Sequence, residues 1–86
     1  MTSPPTYHGV VWRGNKQRAW RVKVKKFGKT FYREFKDPEV AARVYDCAAQ
    51  MVHGPDAVLN FNGEPPDHIS RAQIRQWLLT AGVLRI

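Results

Sequence analysis

Cysteine occurs once, at Cys47, so the chain cannot close a disulfide on itself, which suits a reducing compartment. No Cys-x-x-Cys or Cys–His spacing is present, and His8, His53 and His68 are scattered, which argues against a zinc site. No apolar run approaches the ~20 residues of a membrane span, and the opening MTSPPTY lacks the core of a signal peptide. Paired carboxylates and nucleophile–base sets are missing too, and 86 residues leave little chain for a pocket. An enzyme, a cofactor, a resident metal, a small-molecule substrate and a membrane are therefore not expected. Acid is the last scarcity: residues 1–36 contain a single one, Glu34.

What is there is positive charge, unevenly spread. The net charge is +7; residues 1–36 hold ten basic residues against one acid, a net +9, and residues 37–86 hold four against six, a net −2. A domain that gathers its cations in one part of the chain presents one side to a polyanion. The apolar fraction of 43% belongs to a folded chain rather than a disordered one, and the length suits one domain with a compact core.

Residues 1–6 read as a tail. Residues 7–13 read as a short strand, GNKQ as a turn, and residues 18–25 as a second strand in which Trp20, Val22 and Val24 alternate with Arg21, Lys23 and Lys25. Residues 29–35, rich in aromatics, read as a third strand. A helix is predicted over 38–53, with Asp37 as its cap, Pro38 in its first turn and Gly54-Pro55 at its end. Val40, Ala41, Val44, Tyr45, Ala48 and Val52 form its apolar stripe, small enough for a close approach to the sheet. VLNF at 58–61 reads as an extended return and GEPPD as a stiff linker. A second helix begins at Ser70, where Ser70/Gln73 have capping-box spacing and Ile69/Ile74 staple spacing, and it stops near Gly82. The fold class is therefore α+β: a three-stranded antiparallel β-sheet packed against one α-helix, with an additional short C-terminal helix.

The hairpin between the second and third strands has two candidate registers. A two-residue loop, Phe27-Gly28, sets Val24 opposite Phe31 and Lys23 opposite Tyr32, mixing charge and apolar surface. A three-residue loop, Lys26-Phe27-Gly28, pairs Lys25 with Lys29, Lys23 with Phe31 and Arg21 with Arg33 on one face. The second is preferred because it separates a solvated face from a buried one. It also sets like charges opposite each other, which destabilises a sheet by a few tenths of a kcal/mol or more per pair. Such a face makes sense if phosphates lie against it. Trp12, Trp20, Tyr32 and Phe35 are then assigned to the core, and the reading depends on Arg21, Lys23 and Arg33 sharing one side.

Residues 7–61 resemble the plant-type DNA-binding domains of the Apetala/ethylene-response-factor family. In EVAARVYDCAAQMVHGPDAVLNF, the residues Ala41, Ala42, Tyr45, Asp46, Ala48, Ala49, Gly54, Ala57, Asn60 and Phe61 stand at the family's positions. Tyr7, Gly9 and Val10 are similar to its opening. The resemblance implies a sheet whose open face enters the DNA major groove, in a transcription factor working in the nucleus. Carried over by position, His8, Val11 and Arg13 stand where the family has arginines of the first strand, with Gly9 at its glycine. Lys25 and Lys29 stand at later arginines, Phe31 at a tryptophan, and Tyr45 at the tyrosine that reaches the DNA backbone.

Taken together, the expected DNA-contacting set is His8, Gly9, Val11, Arg13, Lys16, Arg18, Arg21, Lys23, Lys25, Lys29, Phe31, Arg33 and Tyr45. Arg13, Arg21 and Arg33 are the candidates for gripping guanine bidentately, and Lys16 and Arg18 for phosphate contact. Residues 62–86 form a linker and an amphipathic helix, whose stripe over 69–84 either docks on the domain or meets a protein partner or second copy. The expected partner is double-stranded DNA. Other uses of the pattern are the DNA-anchoring module of a mobile-element endonuclease or integrase, an RNA-binding module, and a protein-interaction module.

Overall fold

A computed structural model describes residues 7–14 and 20–85. Three strands, β1 (Val10–Trp12), β2 (Trp20–Lys26) and β3 (Lys29–Phe35), form an antiparallel sheet in the order β1-β2-β3. Helix α1 (Pro38–His53) packs across one face of the sheet, and helix α2 (Arg71–Ala81) packs beside α1 and against β3. The α+β architecture is the one the sequence implies, with the first strand shorter than its apolar pattern.

Local chemistry explains the helix ends. Asp37 Oδ1 accepts the Glu39 N–H at 2.8 Å, and Pro38 occupies the first turn, where its missing N–H is no loss. Ser70 Oγ accepts the Gln73 N–H at 3.1 Å, and Gly82 closes α2 in the left-handed region. On α1, Ala41, Ala48 and Ala49 are fully buried, so the helix backbone lies close to Val22 and Val24 of β2. Ile74, Leu78 and Val83 are buried in that same core, so the apolar stripe of α2 is used within the chain.

The hairpin corrects the expected register. Phe27 and Gly28 form a two-residue loop with both φ angles positive, 54° and 72°, which is the requirement of a type I′ turn. Val24 then faces Phe31, Val22 faces Arg33, Lys23 faces Tyr32 and Arg21 faces Glu34. Three energetic differences favour this pairing. The three-residue loop would have turned the Glu34 carboxylate toward Trp20 and the core, a burial far more costly than a like-charge pair at the surface. It would also have buried Tyr32, whose hydroxyl needs a partner, in place of Phe31, which has no polar atom. Phe31 is now 4% exposed, a burial worth roughly 2–3 kcal/mol. That gain offsets the ~1–2 kcal/mol of holding a non-glycine residue, Phe27, in the left-handed region.

Candidate nucleic-acid interface

Strand parity defines the open face of the sheet. The residues of β2 that do not face α1 are Arg21, Lys23 and Lys25; Val11 lies beside Arg21 on β1, and Thr30, Tyr32 and Glu34 lie across from them on β3. Arg13 joins them from the end of β1, its Nη1 3.8 Å from Glu34 Oε2. Arg21 is held more firmly: its Nε donates to Glu34 Oε2 at 3.3 Å, its Nη2 lies 3.2 Å from the same oxygen, and its guanidinium carbon sits 5.0 Å from the Tyr32 ring centre. Lys23 and Lys25 are exposed and have no acidic partner among the described residues. Two arginines are therefore fixed around one carboxylate, and two lysines stand free beside them.

The face differs from expectation at several positions. Phe31 is core. Lys29 and Arg33 share its parity and point to the α1 side of the sheet. Lys29 lies along Gly82, and the Arg33 guanidinium carbon is 3.9 Å from the centre of the Trp77 ring. Arg21, Lys23 and Arg33 thus do not share one side. An arginine tolerates this position because its aliphatic stem can cover apolar surface while its head lies flat on the indole. The expected repulsive pair of Arg21 with Arg33 is replaced by the attractive pair of Arg21 with Glu34. Like-charge strain on this face is consequently no argument for phosphate, and what remains is the concentration of cations.

Tyr32, assigned to the core in the expected register, is 51% exposed at the centre of the open face. Trp12 is also exposed, at 52%, with its ring 6.1 Å from that of Trp20; Trp20 is buried and Phe35 half-buried, as expected. Thr30, Tyr32 and Glu34 were legible as site residues only from the hairpin loop, since their placement depends on two loop residues rather than three. Lys16 and Arg18 lie outside the described residues.

The residues carried over from the start of β1 and from α1 have structural work. A Cβ on Gly9 would lie 2.0 Å from Tyr45 Cε1, so glycine is what lets β1 approach the helix. Tyr45 is buried, and the His8 ring meets its edge at 5.6 Å between centroids. Burial, and then the Asp46 charge, push the Tyr45 hydroxyl above its ordinary pKa of 10.0. Asp46 is fully buried and accepts the backbone N–H groups of Asn60 and Phe61 at 2.7 and 2.6 Å and the Asn60 side-chain amide at 3.2 Å. Asn60 in turn accepts the His8 N–H at 2.7 Å and donates to the His8 carbonyl at 3.0 Å. The chain Asp46–Asn60–His8 ties the return after α1 to the entry of β1, and it positions the first strand of the face.

Neither a family model nor a curated protein matches the sequence. Among the described residues no cluster of three or more potential metal ligands exists, and no helix is long and apolar enough to cross a membrane. The one cysteine, Cys47, is buried; burial pushes its thiol up, the nearby Arg71 charge opposes that, and Glu64 and Asp46 add to it.

Proposed function

We propose that the domain binds double-stranded DNA through the open face of its sheet, as the sequence-reading part of a transcription regulator in the nucleus. The observation that carries the reading is the gathering of Arg13, Arg21, Lys23 and Lys25 on one side of a sheet whose other side is sealed by α1. A twisted antiparallel sheet fits the major groove, and lysines at its surface meet phosphates as point charges. Arg21 is the leading candidate for base contact. Glu34 and Tyr32 fix its guanidinium, so little side-chain freedom is lost when it meets a guanine edge. Glu34 itself is suited to accept from a cytosine amino group. The likeness of residues 39–61 to Apetala/ethylene-response-factor domains points the same way. Its matching residues are scaffold (the alanines, Tyr45, Asp46, Asn60), so the likeness concerns how the face is held more than what it reads. An RNA-binding reading gains nothing, because Tyr32 replaces Phe31 as the lone aromatic of the open face.

Selection from a randomised duplex library, repeated with Arg21→Ala and Arg33→Ala, tests the assignment. Arg21→Ala is expected to relax preference at one position by about 1–3 kcal/mol. Arg33→Ala is expected to leave the selected sequence unchanged, since Arg33 rests on Trp77 away from that face. If Arg33→Ala alters the preferred bases and Arg21→Ala does not, the face is misassigned.

A further inference from the structure

β3 is an edge strand, and its free edge is open. The Lys23 N–H bonds to the Gly9 carbonyl at 2.9 Å, so the odd residues of β2 direct their backbone toward β1 and the even ones toward β3. By register, Phe31, Arg33 and Phe35 answer the even residues. The N–H and C=O groups of Thr30, Tyr32 and Glu34 therefore point away from the sheet, and no backbone hydrogen bond satisfies them among the described residues. Native sheets usually cover or blunt a seven-residue edge of this kind.

A trough runs along that edge, with α2 as its far wall. One hollow is bounded by residues 30–33 on the strand side and by Trp77, Thr80 and Ala81 on the helix side. The next is bounded by residues 33–36 and by Gln73, Trp77 and His68. Successive residues of a strand point to opposite faces, so a hollow touching four in a row opens at the strand's edge and not over one face. Arg33 and Trp77 border both hollows, which makes them two lengths of one groove. Its floor is apolar and aromatic, while Arg33 and Lys36 give it positive charge. Arg33 lies over the Trp77 ring and has no carboxylate partner among the described residues. A guanidinium stacked on a ring keeps its N–H groups in its own plane, available to an incoming carboxylate. Glu34, the lone acid of β3, is turned to the open face and engaged by Arg21.

We infer that the trough between β3 and α2 binds an extended acidic peptide segment of a partner protein, which adds to the sheet as a fourth strand. Backbone groups of Thr30, Tyr32 and Glu34 supply the ladder, Trp77 and Ala81 receive apolar side chains of the incoming strand, and Arg33 and Lys36 pair with its carboxylates. A nucleic-acid backbone would use the cations but has no use for the strand edge or the apolar wall. The inference goes beyond the DNA reading and does not depend on it, because it uses the edge of the sheet and not its open face.

A short synthetic peptide alternating valine and glutamate, titrated into the full chain and followed by amide NMR and hydrogen exchange, is the test. The expected result is slowed exchange at the Thr30, Tyr32 and Glu34 amides, with shifts confined to β3 and α2. A peptide alternating valine and lysine is expected not to bind. Thr80→Glu and Gln73→Glu, both at exposed positions of α2 that leave the core intact, are expected to weaken the acidic peptide about tenfold each. Saturable shifts without slowed exchange at those three amides overturn strand addition. Equal binding of the lysine peptide overturns the charge argument. Displacement by duplex DNA that shifts Arg33 and Lys36 in place of the peptide assigns the trough to nucleic acid, and contradicts the inference.

Discussion

Gly9 sits beneath the Tyr45 ring at φ 76°, where a methyl group has neither the space nor the backbone conformation it prefers. Gly9→Ala should therefore destabilise the domain by about 2–5 kcal/mol, combining a left-handed penalty with overpacking, as urea unfolding would measure. Its effect on DNA affinity would follow from lost folding, since the residue has no side chain to contact a base. At this scale the sequence was legible in an uneven way. The resemblance placed Gly9, Tyr45, Asp46 and Asn60 at meaningful positions, yet gave Gly9 and Tyr45 a DNA-contacting role where packing explains them. Arg33 was misplaced for a different reason. Charge alternation alone cannot say which of two registers a hairpin adopts, and the deciding atoms belonged to Glu34 and Tyr32, whose burial costs had to be compared.

The elements were the most legible part. The alternation of β2, the caps at Asp37 and Ser70 and the stops at Gly54 and Gly82 all act locally, and local signals survive in a single sequence. What a local signal cannot carry is how α2 joins the rest. Residues 7–61 read as a unit, but Ile69, Ile74, Leu78 and Val83 from beyond them complete the core. Each such burial is worth about 1.5–3 kcal/mol, comparable in sum with the whole stability of a small domain. A fragment ending at residue 61 is thus expected to lack a cooperative thermal transition by circular dichroism, while the chain through residue 85 shows one. The buried groups of α1 also set an alkaline limit. Tyr45 and Cys47 are pushed above their ordinary values of 10.0 and 9.0, so the native state holds these protons where the unfolded chain releases them. Their contribution to stability is complete below about pH 9 and falls as pH rises through and beyond 10. In urea midpoints measured from about pH 8 to 11, Tyr45→Phe should flatten the alkaline decline; an unchanged decline would contradict the burial of this hydroxyl.

Across the whole molecule, charge and shape are divided in the same way. The sheet side carries Arg13, Arg21, Lys23 and Lys25, while Asp37, Glu39, Asp56, Glu64 and Asp67 belong to the later, net-negative part of the chain that forms the helices and their connections. Such a polarised domain approaches a polyanion sheet-first, and the attraction is strongest at low salt. The most direct measurement is duplex affinity against salt for three proteins: the unaltered chain, an open-face variant with Arg21, Lys23 and Lys25 changed to alanine, and a control with Arg43, Arg75 and Arg85 changed to alanine. Both variants lose the same formal charge. The open-face variant should bind roughly a hundredfold more weakly, about 3 kcal/mol, and flatten the slope of log K against log salt by about 2.7, while the control stays within a few-fold of the parent. Equal losses in the two variants, or no loss in either, would contradict a DNA-binding face on this sheet.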